Sequence, residues 1–200
     1  MDPHFLYNTL DTINWKAIEK KQYEISEMVG ALADILRYTI YNAGGTTTIR
    51  QELSWLNEYI LLQNAKKGKE LDVRIYVPEE LMGRKIHKLL LQPIVENAIK
   101  HGFGDREDKD ILVIQIRESG EQLHIMIANN GIPIPEETLA WLNSERAERD
   151  GHLGIGNVKK RLKLYYGEKA ALYFESEAAC FTKVHLFIPG KEEDQCESQS

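Results

Sequence analysis

From Gln92 to Gly102 the chain reads QPIVENAIKHG, and four residues in it carry groups fit for chemistry: Glu96, Asn97, Lys100 and His101. On a helix, Leu91, Val95 and Ile99 recur at i, i+4 and i+8, and Ile94 and Ala98 widen that apolar stripe. The four polar residues then share the opposite side. An ammonium and an imidazole meet phosphate oxygens, an amide oxygen suits Mg2+, and the neighbouring carboxylate holds a water or acts as a base. A solvated helix face would carry the same residue types, so the cluster alone does not decide.

Two later stretches bear on the choice. Asn129-Asn130-Gly131 follows a strand pattern, where a turn brings a polar side chain to a purine edge. Gly151, Gly154 and Gly156 lead into a helix expected from about Asn157. A glycine-rich turn at a helix N-terminus exposes N–H groups where the helix dipole favours anions. Each is a weak signal alone; their order along one chain is a stronger one. At the other end, Asp2 suits an N-cap and Pro3 the first helical position, which puts His4 in a first turn. The positive helix end there disfavours imidazolium and leaves a nitrogen lone pair for attack. A mundane capping-turn histidine is the alternative.

The elements that must hold these residues fall into two textures. Leu6, Leu10, Ile13 and Ala17, then Ile25, Met28, Val29, Leu32, Ile35 and Leu36, read as one long helical stripe with a polar pause. After NAGGTT (42–47), Thr48 and Gln51 form a capping-box pair opening a second helix, and Lys66, Lys67 and Gly68 close it. Two such helices make a hairpin that a second copy would complete as a four-helix bundle. From residue 71 the pattern alternates as strands do: 71–77, 111–119 and 122–128 around Gly120, 171–177 and 181–189. Helices are expected at the opening stretch, near Glu136 to Asn143, and up to Tyr166. The charged run 144–150 reads as a lid or as a solvated loop. The fold class is therefore α+β: a two-helix dimerisation hairpin over 1–68, an α/β sandwich with a mixed, mostly antiparallel sheet over 69–190, and a disordered tail over 191–200.

VENAIKHG, then NNG, then GIGNVKKRL followed by an apolar strand, resembles the ATP-binding domain of sensor histidine kinases, within the gyrase and Hsp90 ATPase class. PHFLYNTLDTINW resembles the phosphoacceptor region of the LytS/YesM-type kinases. The likeness runs from about Asp2 to Pro189. It implies a dimerising hairpin with a phosphorylatable histidine, joined to a domain that binds ATP and Mg2+. Carried over, His4 matches the phosphoacceptor, Asn97 the Mg2+-coordinating asparagine and Glu96 its neighbouring acid. Lys100 and His101 match phosphate-side positions, and Gly154 and Gly156 belong to the glycine-rich lid end. Asn129 stands where the family has an adenine-reading aspartate, with Gly131 behind it; the adenine contact is then a neutral amide pair and not a charge-assisted bond. The resemblance implies autophosphorylation of His4 and transfer to an aspartate of a response regulator. A catalytically weak or idle nucleotide-binding or scaffolding module is the rival, and a hydrolytic ATPase of the same fold a second.

Composition agrees with this class. Lys and Arg number 25 against 31 Asp and Glu, for a net charge of −6, so no basic excess exists to neutralise nucleic-acid phosphates. No apolar run is long enough to cross a membrane. Met1-Asp2-Pro3 does not open as a secretory signal does. Cys180 and Cys196 read as reduced thiols in a cytoplasmic fragment. The start so close to His4 suggests a piece of a longer bacterial sensor, anchored in the plasma membrane by an upstream segment.

Overall fold

The computed structural model describes residues 3–40, 45–103, 109–145, 147, 155–177 and 181–190. Asp2, residues 41–44, Gly151, Gly154, Cys180, most of the charged run and the residues from 191 on lie outside the described residues. The chain divides into two compact units: Met1–Leu71 with Gly83–Leu89, and Asp72–Met82 with Leu90–Ser200.

The first unit is helical. Where one long helix is expected, there are two, α1 (Pro3–Glu19) and α2 (Tyr23–Ile40), packed on each other. The polar pause is a helix stop: Lys21 is left-handed (φ 55), Gln22 N–H donates to the Ala17 carbonyl at 2.8 Å, and Lys21 N–H to that of Ile18 at 2.9 Å. That is the hydrogen-bond pattern of a Schellman cap, which glycine usually marks; with lysine in its place, the sequence carries no stop signal. Helix α3 (Ile49–Lys67) packs against α2. The capping box of Thr48 and Gln51 is present, and Gly68 closes the helix in the left-handed conformation (φ 63).

A short ribbon completes this unit. Strand β1 (Thr46–Thr48) pairs antiparallel with β3 (Lys85–His87), and Ile49 N–H donates to the Arg84 carbonyl at 3.0 Å. Residues 83–89 therefore group with the helices in one compact unit. Three-residue strands are too short to leave a periodic signal.

The second unit is α+β. Its sheet has the order β2-β4-β5-β7-β6, from β2 (Asp72–Tyr76), β4 (Ile111–Ser119), β5 (Gln122–Asn129), β6 (Ala171–Glu175) and β7 (Thr182–Pro189). Only the β2–β4 pair is parallel. Gly120 (φ 61) turns β4 into β5 as the hairpin pattern requires. Helices α4 (Gln92–His101), α5 (Glu136–Asn143) and α6 (Ile155–Tyr166) pack on this sheet. Leu112, Ile114, Ile116, Leu123, Ile125, Ile127, Leu186 and Ile188 are almost wholly buried. Each such burial contributes roughly 1.5–3 kcal/mol, so this layer holds the unit together.

The other face of the sheet carries rings. His124 stacks on Phe187 at 4.3 Å between centroids, and Tyr173 on His185 at 4.7 Å. Arg117 donates to His124 Nδ1 at 3.2 Å, and His124 Nε2 and His185 Nδ1 are hydrogen-bonded at 2.9 Å. Both histidines are buried, in the structural role their apolar strands suggest.

Candidate nucleotide site

Helix α4 sorts its residues as its sequence requires. Leu91, Ile94, Val95, Ala98 and Ile99 are buried, Glu96 and Asn97 are half-buried, and Lys100 and His101 are exposed. Pro93 sits in the first turn, where its missing N–H is no loss. Gln92 donates to Glu96 Oε1 at 2.6 Å and so holds one oxygen of that carboxylate. This partner is four residues upstream, a helical spacing that could have identified it.

The end of α4 meets the end of β5 closely. Gly102 N–H closes the helix on the Ala98 carbonyl at 2.9 Å, and the Gly102 carbonyl accepts from Ile132 N–H at 2.7 Å. The Asn129 side chain, on a residue 4% exposed, donates from Nδ2 to the same carbonyl at 3.4 Å. A Cβ on Gly131 would stand 1.3 Å from the Gly102 oxygen, and one on Gly102 would stand 2.5 Å from Asn129 Nδ2. Gly102 has an ordinary helical φ of −79, so space and not backbone freedom requires glycine there. Its place after a helix reads in sequence only as a stop, which is why its packing role was not legible.

The strand-end turn and the polar helix are thus brought together: Asn129 and Gly131 lie against the C-terminus of the helix that carries Glu96, Asn97, Lys100 and His101. Helix α6 packs against α4 as well, with Gly156 buried in its first turn. The helix begins at Ile155, two residues before the expected start. Lys159, one turn on and buried, donates to the carbonyls of Leu142 at 2.6 Å and Ser144 at 3.4 Å. It thereby satisfies one orphan carbonyl of α5, that of Leu142, and that of its C-cap Ser144. His4 belongs to the helical unit, exposed in the first turn of α1.

The donors on α4 fit a metal–phosphate ligand. One amide oxygen on Asn97 offers Mg2+ a single hard ligand, which is how this ion is held when substrate phosphates and water complete the octahedron. Among the described residues no group of three or more His, Cys, Asp or Glu could hold a metal without such a ligand. A cavity of about 450 Å³ lies in the helical unit, lined among others by Tyr38, Gln51, Trp55 and Lys88, and no α4 residue lines it. The wall that the glycine run would give the α4 site includes residues 151–154, which are outside the described residues.

Known proteins with the same patterns are histidine kinases. Residues 1–71 match the family described as histidine kinase, and residues 84–192 that described as histidine kinase-, DNA gyrase B- and HSP90-like ATPase. The sensor protein kinase HptS of Staphylococcus aureus is 31% identical over 191 residues, in strain bovine RF122 / ET3-1 and in strain USA300 alike. The match covers 94% of this chain and 36% of those proteins, so the chain spans about a third of their length. Two solved structures share the fold. The histidine kinase domain of the Erythrobacter litoralis EL346 blue-light activated kinase aligns with a TM-score of 0.54 at 20% identity, over 93% of this chain and 95% of that one. The catalytic domain of histidine kinase ThkA aligns at 0.55 and 19% identity, over 75% of this chain and 99% of that one. With a LytS/YesM-type histidine kinase sequence over residues 1–71 and the histidine kinase-, DNA gyrase B- and HSP90-like ATPase match over 84–192, this chain belongs to the histidine kinase family.

Proposed function

We propose that this chain is the catalytic core of a two-component sensor kinase, one that binds Mg-ATP, phosphorylates its own His4 and passes the phosphoryl group to an aspartate of a response regulator. The observation that carries the reading is the packing of Asn129 and Gly131 against the end of α4. It puts an adenine-suited amide beside the helix whose polar side suits phosphates and a metal. Asn129 uses one N–H on the Gly102 carbonyl. Its second N–H and its oxygen match adenine N1 and the N6 amine. Asn97 would hold Mg2+, which neutralises charge on the phosphates; Lys100 and His101 meet phosphate oxygens; Gly154 and Gly156 offer backbone N–H groups.

In the transfer, a neutral His4 nitrogen attacks the γ-phosphorus with its lone pair. The bond to the bridging oxygen breaks, and ADP leaves with that electron pair. The imidazole proton passes to water or to Glu96, whose orientation Gln92 fixes. Such a reaction needs position and charge neutralisation more than covalent help. The relatives span a longer protein, and the reading extends to a homodimer through the N-terminal helices and to a membrane-anchored full-length sensor.

Incubation with γ-labelled ATP tests it. Acid-labile, alkali-stable label on the protein, lost in His4→Gln, is the expected result, with Mg-ATP binding by calorimetry lost in Asn97→Ala. Binding without label points instead to an idle nucleotide module, the outcome that a neutral Asn129 in place of a carboxylate would favour. Release of inorganic phosphate without labelled protein points to a hydrolase.

A further inference from the structure

The helical unit holds a buried charged network that the reading above leaves unused. Glu52, on α3, is 1% exposed, and Lys88, just past β3, is 6% exposed. The Glu52 carboxylate accepts from the Tyr38 hydroxyl and, at 3.1 Å, from the Leu89 N–H. The Lys88 ammonium donates to the Tyr38 carbonyl and lies 4.2 Å from the centre of the Tyr38 ring. Burial, with the Glu52 charge second, raises the Tyr38 hydroxyl well above its ordinary pKa, and burial lowers that of Lys88. Apolar residues of the same volume would hold a core at least as well as two buried charges, so stability alone does not account for them.

What the network does is visible at Leu89. Its φ is 58, in the left-handed region that residues with a Cβ avoid. Such a conformation persists only where the surroundings over-determine it. Leu89 is the last residue of the helical unit before the chain passes to the second unit at Leu90, and α4 begins at Gln92. Among the described residues the other non-glycine left-handed position is Lys21, whose Schellman cap accounts for it.

We infer that Glu52 is a positioning residue: by accepting the Leu89 N–H it holds the last torsion of the helical unit left-handed, and phosphoryl transfer to His4, but not ATP binding, depends on that torsion. The inference rests on the autokinase reading above. Glu52 acts through the backbone and touches no reactant.

Two measurements on the full chain separate this from ordinary structural support: the rate of His4 labelling at saturating Mg-ATP, and Mg-ATP affinity by calorimetry. In Glu52→Ala the rate falls at least tenfold while affinity stays within twofold. Leu89→Val, whose branched Cβ opposes a positive φ, shows the same split. Leu89→Asn also lacks the leucyl side chain but tolerates the left-handed region, and labels within threefold of the parent. Parental labelling in Glu52→Ala or Leu89→Val overturns the inference. So does an equal loss in Leu89→Asn and Leu89→Val, or a loss of affinity that matches the loss of rate. If Glu52→Ala does not fold, the Leu89 pair decides. A parent chain that binds Mg-ATP yet takes no label instead overturns the kinase reading.

Discussion

A glycine is most informative where another atom occupies the space its Cβ would take. At Gly131 that atom is the Gly102 carbonyl oxygen, 1.3 Å from an ideal Cβ, and it belongs to the backbone. No rotamer change relieves such a clash, so Gly131→Ala must push the turn away from the end of α4. We expect a loss of about 3 kcal/mol or more, at the upper end of what overpacking costs, read as a fall in the thermal midpoint. Nucleotide affinity should fall with it, because Asn129 is tied to the same carbonyl. An alanine variant with parental stability would mean that the turn is not held against α4. In the sequence, NNG was legible as a turn and Asn129 as a polar group at a strand end. What the turn packs against was not, because a contact between residues 102 and 131 leaves no periodic trace.

Elements with strong local chemistry were the legible ones. The capping box at Thr48, the left-handed Gly68, the Gly120 hairpin and the apolar stripe of α4 are each specified within a few residues, and each is present. The stop at Lys21 and the ribbon of β1 with β3 were not legible, since one lacks its usual glycine and the other is three residues long. The sheet's ring-bearing face gives a consequence at this scale. Burial chiefly, with His185 and Arg117 adding repulsion, lowers the pKa of His124 below its ordinary value, and the Glu175 carboxylate opposes them weakly. The folded chain therefore refuses a proton that the unfolded chain accepts. With the unfolded value near about 6.5, the folded state is undiminished above that pH. It loses stability as pH falls from there through the lowered folded value, by at most about 1.4 kcal/mol per pH unit for one proton. Chemical denaturation at pH 7.5 and pH 5.5 should show the decline, and His124→Phe, continuing the stack with Phe187 and Tyr173, should flatten it. An equal decline in the variant would assign the effect to other groups.

For the whole molecule the informative surface is that of α1. It runs 17 residues, and only Ala17 is buried. Phe5, Ile13, Trp15 and Ile18 stand exposed around it, Trp15 by 71%, and Tyr23 and Ile25 are exposed on α2. A helix with so few fully buried residues is marginal in water, because most helical stability in proteins comes from the face it buries. The homodimer proposed above gives the stripe of α1 a partner, with two hairpins forming a four-helix bundle whose core is made only on association. Sedimentation should then report a species of about twice 23.0 kDa at micromolar concentration. Replacing Ile13, on the stripe of Leu6, Leu10 and Ala17, by glutamate would set a charge in the bundle, shift the chain to monomer and lower its helical circular dichroism, since α1 would lose the contacts that stabilise it. Mg-ATP affinity should be unchanged, because Asn97, Asn129 and Gly131 all lie in the second unit. A parent chain that sediments at 23.0 kDa with its helical signal intact would mean that α1 is stable as it stands, and the dimer would be abandoned.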